Sequence, residues 1–248
     1  MDRPTTTILG VPISTLGMEK ALDLCAAQAR ASGGGYVCFA NVHTVTESQS
    51  LPALRETLSR AFLSVADGLP LVWVSRLRGP AIESRVCGPD FMKDFLERYR
   101  DLPVGFVGGA PGQAEALVAR FGLSSACHSP PMRPYSPEAV AEDWRAFLEK
   151  NGNRPRPRVV WVGLGAPKQE LWMRNASTLA PDVLFMGVGA AFDFLTGTKK
   201  RAPLWMQRSG LEWLFRLLQE PRRLWRRYFT TNFRFIVAVV ADSFRPRD

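Results

Sequence analysis

The sequence has no run of apolar residues long enough to cross a bilayer. The longest strongly apolar stretch near its end, Phe235 to Ala241, falls far short of the roughly 20 residues that a spanning helix needs. Its beginning, Met1-Asp2-Arg3-Pro4-Thr5, carries an acidic residue and leads into no apolar stretch, so neither a secretion signal nor a transit peptide is read there. The expectation from both absences is a cytoplasmic protein. Cysteine and histidine are also scarce. The four cysteines, Cys25, Cys38, Cys87 and Cys127, are widely scattered, show no short paired spacing and coexist with only two histidines. That argues against a zinc site or a disulfide framework and favours small buried thiols in a reducing compartment. No Asp-x-Asp pair occurs, and no histidine–carboxylate cluster has metal-ligand spacing. No metal and no cofactor are therefore expected, and a bound nucleotide diphosphate would have to be neutralised by Arg, Lys and backbone N–H groups.

What the chain does have is enough apolar material for a full core: 248 residues, 46% hydrophobic and 22% charged, a balance unlike that of disordered chains. Its net charge of +9 is unevenly spread. From Lys199 to Asp248 there are 12 Lys/Arg against 4 Asp/Glu, a net of +8, which leaves +1 for the first 198 residues. The basicity belongs to the C-terminal segment, and we divide the chain into a core at 1–198 and an appendage at 199–248.

Between Tyr36 and Gly189 short apolar runs alternate with segments of helical periodicity, the pattern of strands joined by crossover helices. Strands are predicted at Tyr36–Ala40, Leu63–Ala66, Val104–Val107, Val159–Val162 and Val183–Gly187, with a weaker one near Ala126. Helices are predicted at Met18–Ala31, Leu51–Ala61, Asp90–Tyr99, Gln113–Phe121, Pro137–Lys150 and Pro167–Asn175. The fold class is thus α/β, a Rossmann-like, mainly parallel sheet flanked by helices, with a basic amphipathic helical appendage. In such a sheet the carboxyl ends of the strands line the ligand crevice. Asn41, Asp67-Gly68, Gly108-Gly109, Gly163 to Gln169 and Gly187 to Asp193 all follow predicted strands, so they should converge.

The run GLGAPKQE, Gly163 to Glu170, joins a strand to a helix whose first residue is read as Pro167. Gly163 and Gly165 would let the backbone approach a phosphate at the helix N-terminus, Lys168 would add charge, and Gln169 could both donate and accept. The third glycine of a dinucleotide fingerprint is missing. Asp67 could accept a proton from an attacking hydroxyl, although an Asp-Gly turn or a cap for the segment from Leu69 explains it locally as well. Asn41 has the same two readings. Arg85, ahead of a helix capped by Gly88 or started at Pro89, could hold a diphosphate bidentately or sit at the surface. His43 is a base or a structural histidine, and Asp193 a hydroxyl acceptor or a cap.

In the appendage, Leu211, Leu214, Phe215 and Leu218 form one helical stripe, widened by Trp213 and Leu217. Pro221 ends that helix and can begin another, in which Trp225, Tyr228, Phe229, Ile236 and Val239 mark an apolar side. Arg222/Arg226 and Arg223/Arg227 are like-charge pairs at i,i+4, each unfavourable by a few tenths of a kcal/mol in an isolated helix. An anionic partner would relieve them. A membrane surface, a solvated basic face and nucleic acid all fit that description.

Taken together, Asn41-Val42-His43, Ala66-Asp67-Gly68, Arg85 with Gly88-Pro89-Asp90, GLGAPKQE, Gly187 to Asp193, and Lys200 to Arg223 with its Gly210-Leu211-Glu212-Trp213-Leu214 core resemble the WecG/TagA/CpsF glycosyltransferases, in the same order and over nearly the whole chain. The resemblance implies an inverting, metal-independent transfer of a hexose or N-acetylhexosamine, N-acetylmannosamine or glucose foremost, from a UDP-sugar donor. The acceptor would be a polyprenyl-diphosphate-linked saccharide at the inner face of the cytoplasmic membrane. It implies Asp67 as general base, Asn41 and Gln169 as pocket residues and Arg85 as a phosphate or substrate contact; His43, Gly163, Gly165, Lys168 and Asp193 stand beside them as substrate- or UDP-binding candidates from the residues themselves. Arg201, Arg216, Arg222, Arg223 and Arg226 would meet the lipid diphosphate and the membrane. One position departs: Phe39 stands where many relatives carry a threonine, which removes a hydrogen-bonding group from the pocket wall. The resemblance implies no nucleic-acid partner, and self-association stays open. The rival readings are a nicotinamide-dependent oxidoreductase, against which the missing glycine argues, and a basic nucleic-acid-binding protein, for which the tail alone speaks.

Overall fold

The computed structural model describes residues 3–243. The chain opens with an antiparallel hairpin, β1 (Thr5–Ile8) and β2 (Val11–Ser14), followed by α1 (Met18–Arg30). Then come β3 (Gly35–Ala40), α2 (Val42–Glu47), α3 (Pro52–Arg60), β4 (Leu63–Ala66), α4 (Leu69–Arg78) and α5 (Gly88–Arg98). Next are β5 (Val104–Gly108), α6 (Gln113–Phe121), β6 (Cys127–His128), α7 (Pro137–Asn151), β7 (Val159–Gly163), α8 (Lys168–Leu179), β8 (Leu184–Gly187) and α9 (Ala191–Leu195). The C-terminal segment forms α10 (Leu204–Arg208), α11 (Glu212–Gln219) and α12 (Pro221–Ser243).

Six strands form one sheet in the order β4-β3-β8-β7-β5-β6, with every pairing parallel. Parallel strands need crossovers, and the helices that supply them cover both faces. The strand side chains alternate between the two resulting cores. Tyr36, Cys38, Ala40, Val160, Val162 and Phe185 pack with α3 and α8 on one face, while Val37, Phe39, Trp161, Leu184 and Met186 pack with α1, α5 and α6 on the other. On the second face Trp161 is fully buried and meets Phe91 and Phe95 edge-on, the arrangement aromatic quadrupoles favour. The α/β class and parallel sheet expected from periodicity are therefore present.

Several local expectations differ. The β1–β2 hairpin was not predicted: its two-residue turn, Leu9-Gly10, has positive φ at both positions (49° and 74°) but lacks an Asn or Asp at the first, and Pro12 interrupts the strand pattern. Pro167 is the N-cap of α8 and not its first helical residue. At α5 Cys87 caps and Gly88 is already helical. The side of α12 that turns inward is marked by Leu224, Thr231 and Phe235, whereas Trp225, Phe229 and Ile236, expected on one apolar side, are exposed. Among the described residues no helix is long and apolar enough to cross a membrane. Residues 244–248 of the expected appendage lie outside the described residues.

Helix α12 packs on α2, and Phe235, only 4% exposed, joins the core cluster of the first face. The tail is thus docked on its own chain. Phe235→Ala should lower stability by about 3–5 kcal/mol within a single cooperative transition, read from denaturant unfolding. A midpoint unchanged from wild type would mean that the tail is not part of the folded unit.

Candidate active site

The strand ends and the tail enclose one cavity of about 840 Å³. Its floor comes from residues just beyond β3, β4, β7 and β8, and its outer wall from α4, α11 and α12. The first corner is Asn41, which follows β3 directly. Its side-chain oxygen accepts from the backbone N–H of His43 (3.0 Å) and Thr44 (3.2 Å), while Thr44 Oγ1 accepts from the Asn41 N–H (2.9 Å). This reciprocal capping box commits the Asn41 carbonyl to starting α2 and fixes His43 at the cavity wall.

Asp67 follows β4 beside it. Its backbone N–H donates to the Ala40 carbonyl (2.7 Å), which ties the two strand ends together, and its Oδ1 accepts from the Gly88 N–H at the start of α5 (3.3 Å). The carboxylate keeps 26% exposure and lines the cavity. Burial pushes its pKa up; Arg85 opposes the rise, the nearby Glu212 carboxylate adds to it, and Gly88 and Arg216 oppose it more weakly. The outcome is a carboxyl whose pKa is held above the ordinary aspartate value, a perturbation found often among groups that transfer protons.

Arg85 is the hub of the charges around Asp67. Its Nη2 lies 4.0 Å from Asp67 Oδ1 but 2.6 Å from Glu212 Oε2, at the first residue of α11. The same nitrogen donates to Cys87 Sγ (3.0 Å), and Nη1 donates to the Gln207 carbonyl (3.3 Å). Arg201 continues the chain: it donates to both carboxylate oxygens of Asp90 and to Cys87 Sγ (3.2 Å), and its Nε lies 3.8 Å from Glu212 Oε1. Burial drives the Cys87 thiol well above its usual range, so it stays protonated between the two guanidiniums.

On the opposite side, Gln169 of α8 accepts from the Gly189 N–H through Oε1 (2.9 Å), linking the β7 and β8 loops. Gly187 makes this possible, because a Cβ there would stand 2.6 Å from Gln169 Nε2 and 2.5 Å from Met173 Cε. Gly165 has a left-handed φ of 76° and open space around the position of a Cβ, so the backbone itself faces the cavity. Asp193 accepts from Gln113 Nε2 (2.8 Å) and pairs with Lys199 (3.1 Å), which also reaches Glu220 (3.0 Å). Arg216 lines the cavity, its guanidinium 5.8 Å from the Phe194 ring centroid.

Asn41, His43, Asp67, Arg85, Gly163, Gly165, Gln169, Asp193 and Arg216 therefore converge on one cavity. Others named from the sequence do not. Lys168 turns away and donates to the Arg133 carbonyl (2.9 Å), because as the first residue of α8 it projects from the flank of the loop and not from its mouth. Arg201 is consumed by Asp90. Arg222 and Arg226 are exposed outside the cavity, with Arg226 against its own neighbour Trp225, and the side chain of Arg223 lies outside the described residues. Sequence reasoning missed Trp73, Gln113, Glu212, Trp213, Tyr228 and Asn232, all cavity residues. Glu212 precedes Arg216 by four, so it reads as an ordinary intrahelical pair; nothing local points to a partner 127 positions earlier.

The model of the WecG/TagA/CpsF glycosyl transferase family matches residues 6–248, essentially the whole chain. The chain belongs to that family. It is a glycosyltransferase of cell-surface polysaccharide synthesis, a reaction that takes a sugar nucleotide donor and a lipid-linked acceptor. The oxidoreductase reading is set aside.

The raised pKa of Asp67 has a consequence for stability. A carboxyl whose folded pKa exceeds its unfolded value ionises at a cost that is absent below the unfolded pKa and grows as pH rises through the window between the two. Asp67→Asn removes that cost. The stability of Asp67→Asn relative to wild type, read from denaturant midpoints, should therefore improve from acidic to neutral pH. A difference constant with pH would show that the carboxyl is not displaced upward.

Proposed function

We propose that this member of the family is an inverting transferase. It moves a hexose or N-acetylhexosamine from a UDP-sugar to a hydroxyl of a polyprenyl-diphosphate-linked saccharide. The observation that carries the reading is the placement of Asp67: a carboxyl raised by burial, at the floor of a cleft, with the cations Arg85 and Arg216 beside it. In a single displacement, Asp67 accepts the proton of the acceptor hydroxyl as its oxygen bonds the anomeric carbon. The bond from that carbon to the diphosphate breaks on the opposite side, and UDP departs with the electron pair. Inversion follows from the one in-line step.

The departing diphosphate gains negative charge and needs donors already in place. In this reading Arg216 and the N–H groups at the turn from Gly163 to Ala166 supply them, with Gln169 and Asn41 holding the loops that shape the pocket. Among the described residues no three His, Cys, Asp or Glu side chains gather as metal ligands. Phe39, 5% exposed and edge-on to Phe91, gives the pocket an apolar wall where a hydroxyl would otherwise meet the donor sugar.

The tail supports a position at the inner membrane face. Exposed Trp225, Phe229, Phe233, Ile236 and Val240 lie on the same helix as exposed Arg222 and Arg226, which suits an interface where each cation near acidic lipid contributes about 1 kcal/mol.

Two measurements test these roles. Asp67→Asn should bind UDP with unchanged affinity by calorimetry while turnover falls by about 10²- to 10⁴-fold; wild-type turnover would remove Asp67 from the mechanism. Arg222→Glu with Arg226→Glu should greatly reduce co-sedimentation with phosphatidylglycerol vesicles at low salt, and undiminished pelleting would refute the membrane role.

A further inference from the structure

We propose that Glu212 is a positioning residue for the base: from the first turn of α11 it holds the Arg85 guanidinium away from Asp67, so that the Asp67 carboxylate is free to take the acceptor's proton. This rests on the reading of Asp67 as the base.

The geometry is a contest of two carboxylates for one guanidinium. Arg85 Nη2 lies 2.6 Å from Glu212 and 4.0 Å from Asp67, and both of its side-chain carboxylate neighbours are largely enclosed, at 16% and 26% exposure. Further contacts hold Arg85 on the tail side. Nη1 donates to the Gln207 carbonyl in α10, and Glu212 is itself steadied by Arg201, which is anchored on Asp90. A carboxylate locked in a close guanidinium pair is a weaker base, since the pair stabilises the ionised form and leaves fewer lone pairs for the substrate. Asp67 escapes that fate by about the length of one contact, and Glu212 is the reason.

The charged and titratable groups facing Asp67 come from every neighbouring element. Arg85 precedes α5, Cys87 and the Gly88 N–H open it, Glu212 and Arg216 come from α11, and His43 from α2 lines the same cavity. Of these, Glu212 alone is a carboxylate. Removing its charge takes away a repulsion and releases Arg85 toward Asp67, and the two changes have the same sign: both favour the ionised carboxylate and both make it a poorer base.

The test is the pH dependence of turnover in Glu212→Gln. The acid limb should move to lower pH, the plateau of kcat should drop at least tenfold, and the KM for the UDP-sugar should change little. Glu212→Asp, which keeps the charge, should bring the limb back toward the wild-type position. A loosened α11 would lower activity without moving the limb, so an unmoved limb, or one moved to higher pH, overturns the proposal. Should Glu212→Gln fail to fold, Glu212→Asp decides instead: its carboxylate stands one methylene short of Arg85, so a limb moved part of the way to lower pH supports the proposal, and a limb at the wild-type position or above it overturns it. The parent reading is separable, because full turnover in Asp67→Asn would refute Asp67 as base, whereas an inactive Asp67→Asn beside an unmoved limb in Glu212→Gln refutes only the role of Glu212.

Discussion

A carboxylate placed at the floor of a deep cleft must be paired, hydrated or protonated, and that constraint organises the centre of this molecule. Asp67 meets it by compromise. One backbone N–H and a distant guanidinium partly offset its burial, and the remainder appears as an upward pKa. Arg85 faces the same constraint with the opposite sign, and satisfies it on Glu212, Cys87 and a backbone carbonyl. Glu212 and Asp90 in turn need Arg201. An alternating line of charges thus runs from β4 to the tail, and each member is placed by the one before it.

The parallel sheet is what allows a line of this kind to exist. All six strands point the same way, so their carboxyl ends deliver Asn41, Asp67, Gly163 and Gly187 to one edge, and the following helices leave for either face. The loops that remain at that edge are short and mutually braced: Asp67 to Ala40, Gln169 to Gly189, Gly109 to the Gly163 carbonyl. Bracing of this density holds side chains to the tolerance that chemistry at a single carbon requires.

The sheet was legible in the sequence because buried parallel strands read as continuous apolar runs, and Tyr36–Ala40 or Val159–Val162 admit little else. The convergence of the post-strand residues followed from topology alone. What could not be read was direction. Lys168 stands in the same motif as Gln169, yet one turns to Arg133 and the other into the cleft, a difference of 100° around α8 that depends on where the helix begins. Hidden too was the hairpin, whose turn lacks the usual residues. The greatest loss was Glu212, since charge patterning weighs neighbours three or four apart and its true partner, Arg85, is remote in sequence.

The charge boundary near residue 198 divides the sequence more sharply than it divides the folded molecule. Asp193 relies on Lys199, Asp90 on Arg201 and Arg85 on Glu212, while Phe235 completes a core begun by the first strands. Removing one partner of an enclosed ion pair leaves an uncompensated charge, at a cost of about 3–5 kcal/mol for a fully buried pair and less for these partly exposed ones. Several such losses together rival the net stability of a domain, about 5–15 kcal/mol. The basic segment is therefore a structural wall of the cleft as much as an appendage to it. Its docked face supplies counter-charges to the site, and its outer face is left to carry the exposed aromatic and arginine side chains.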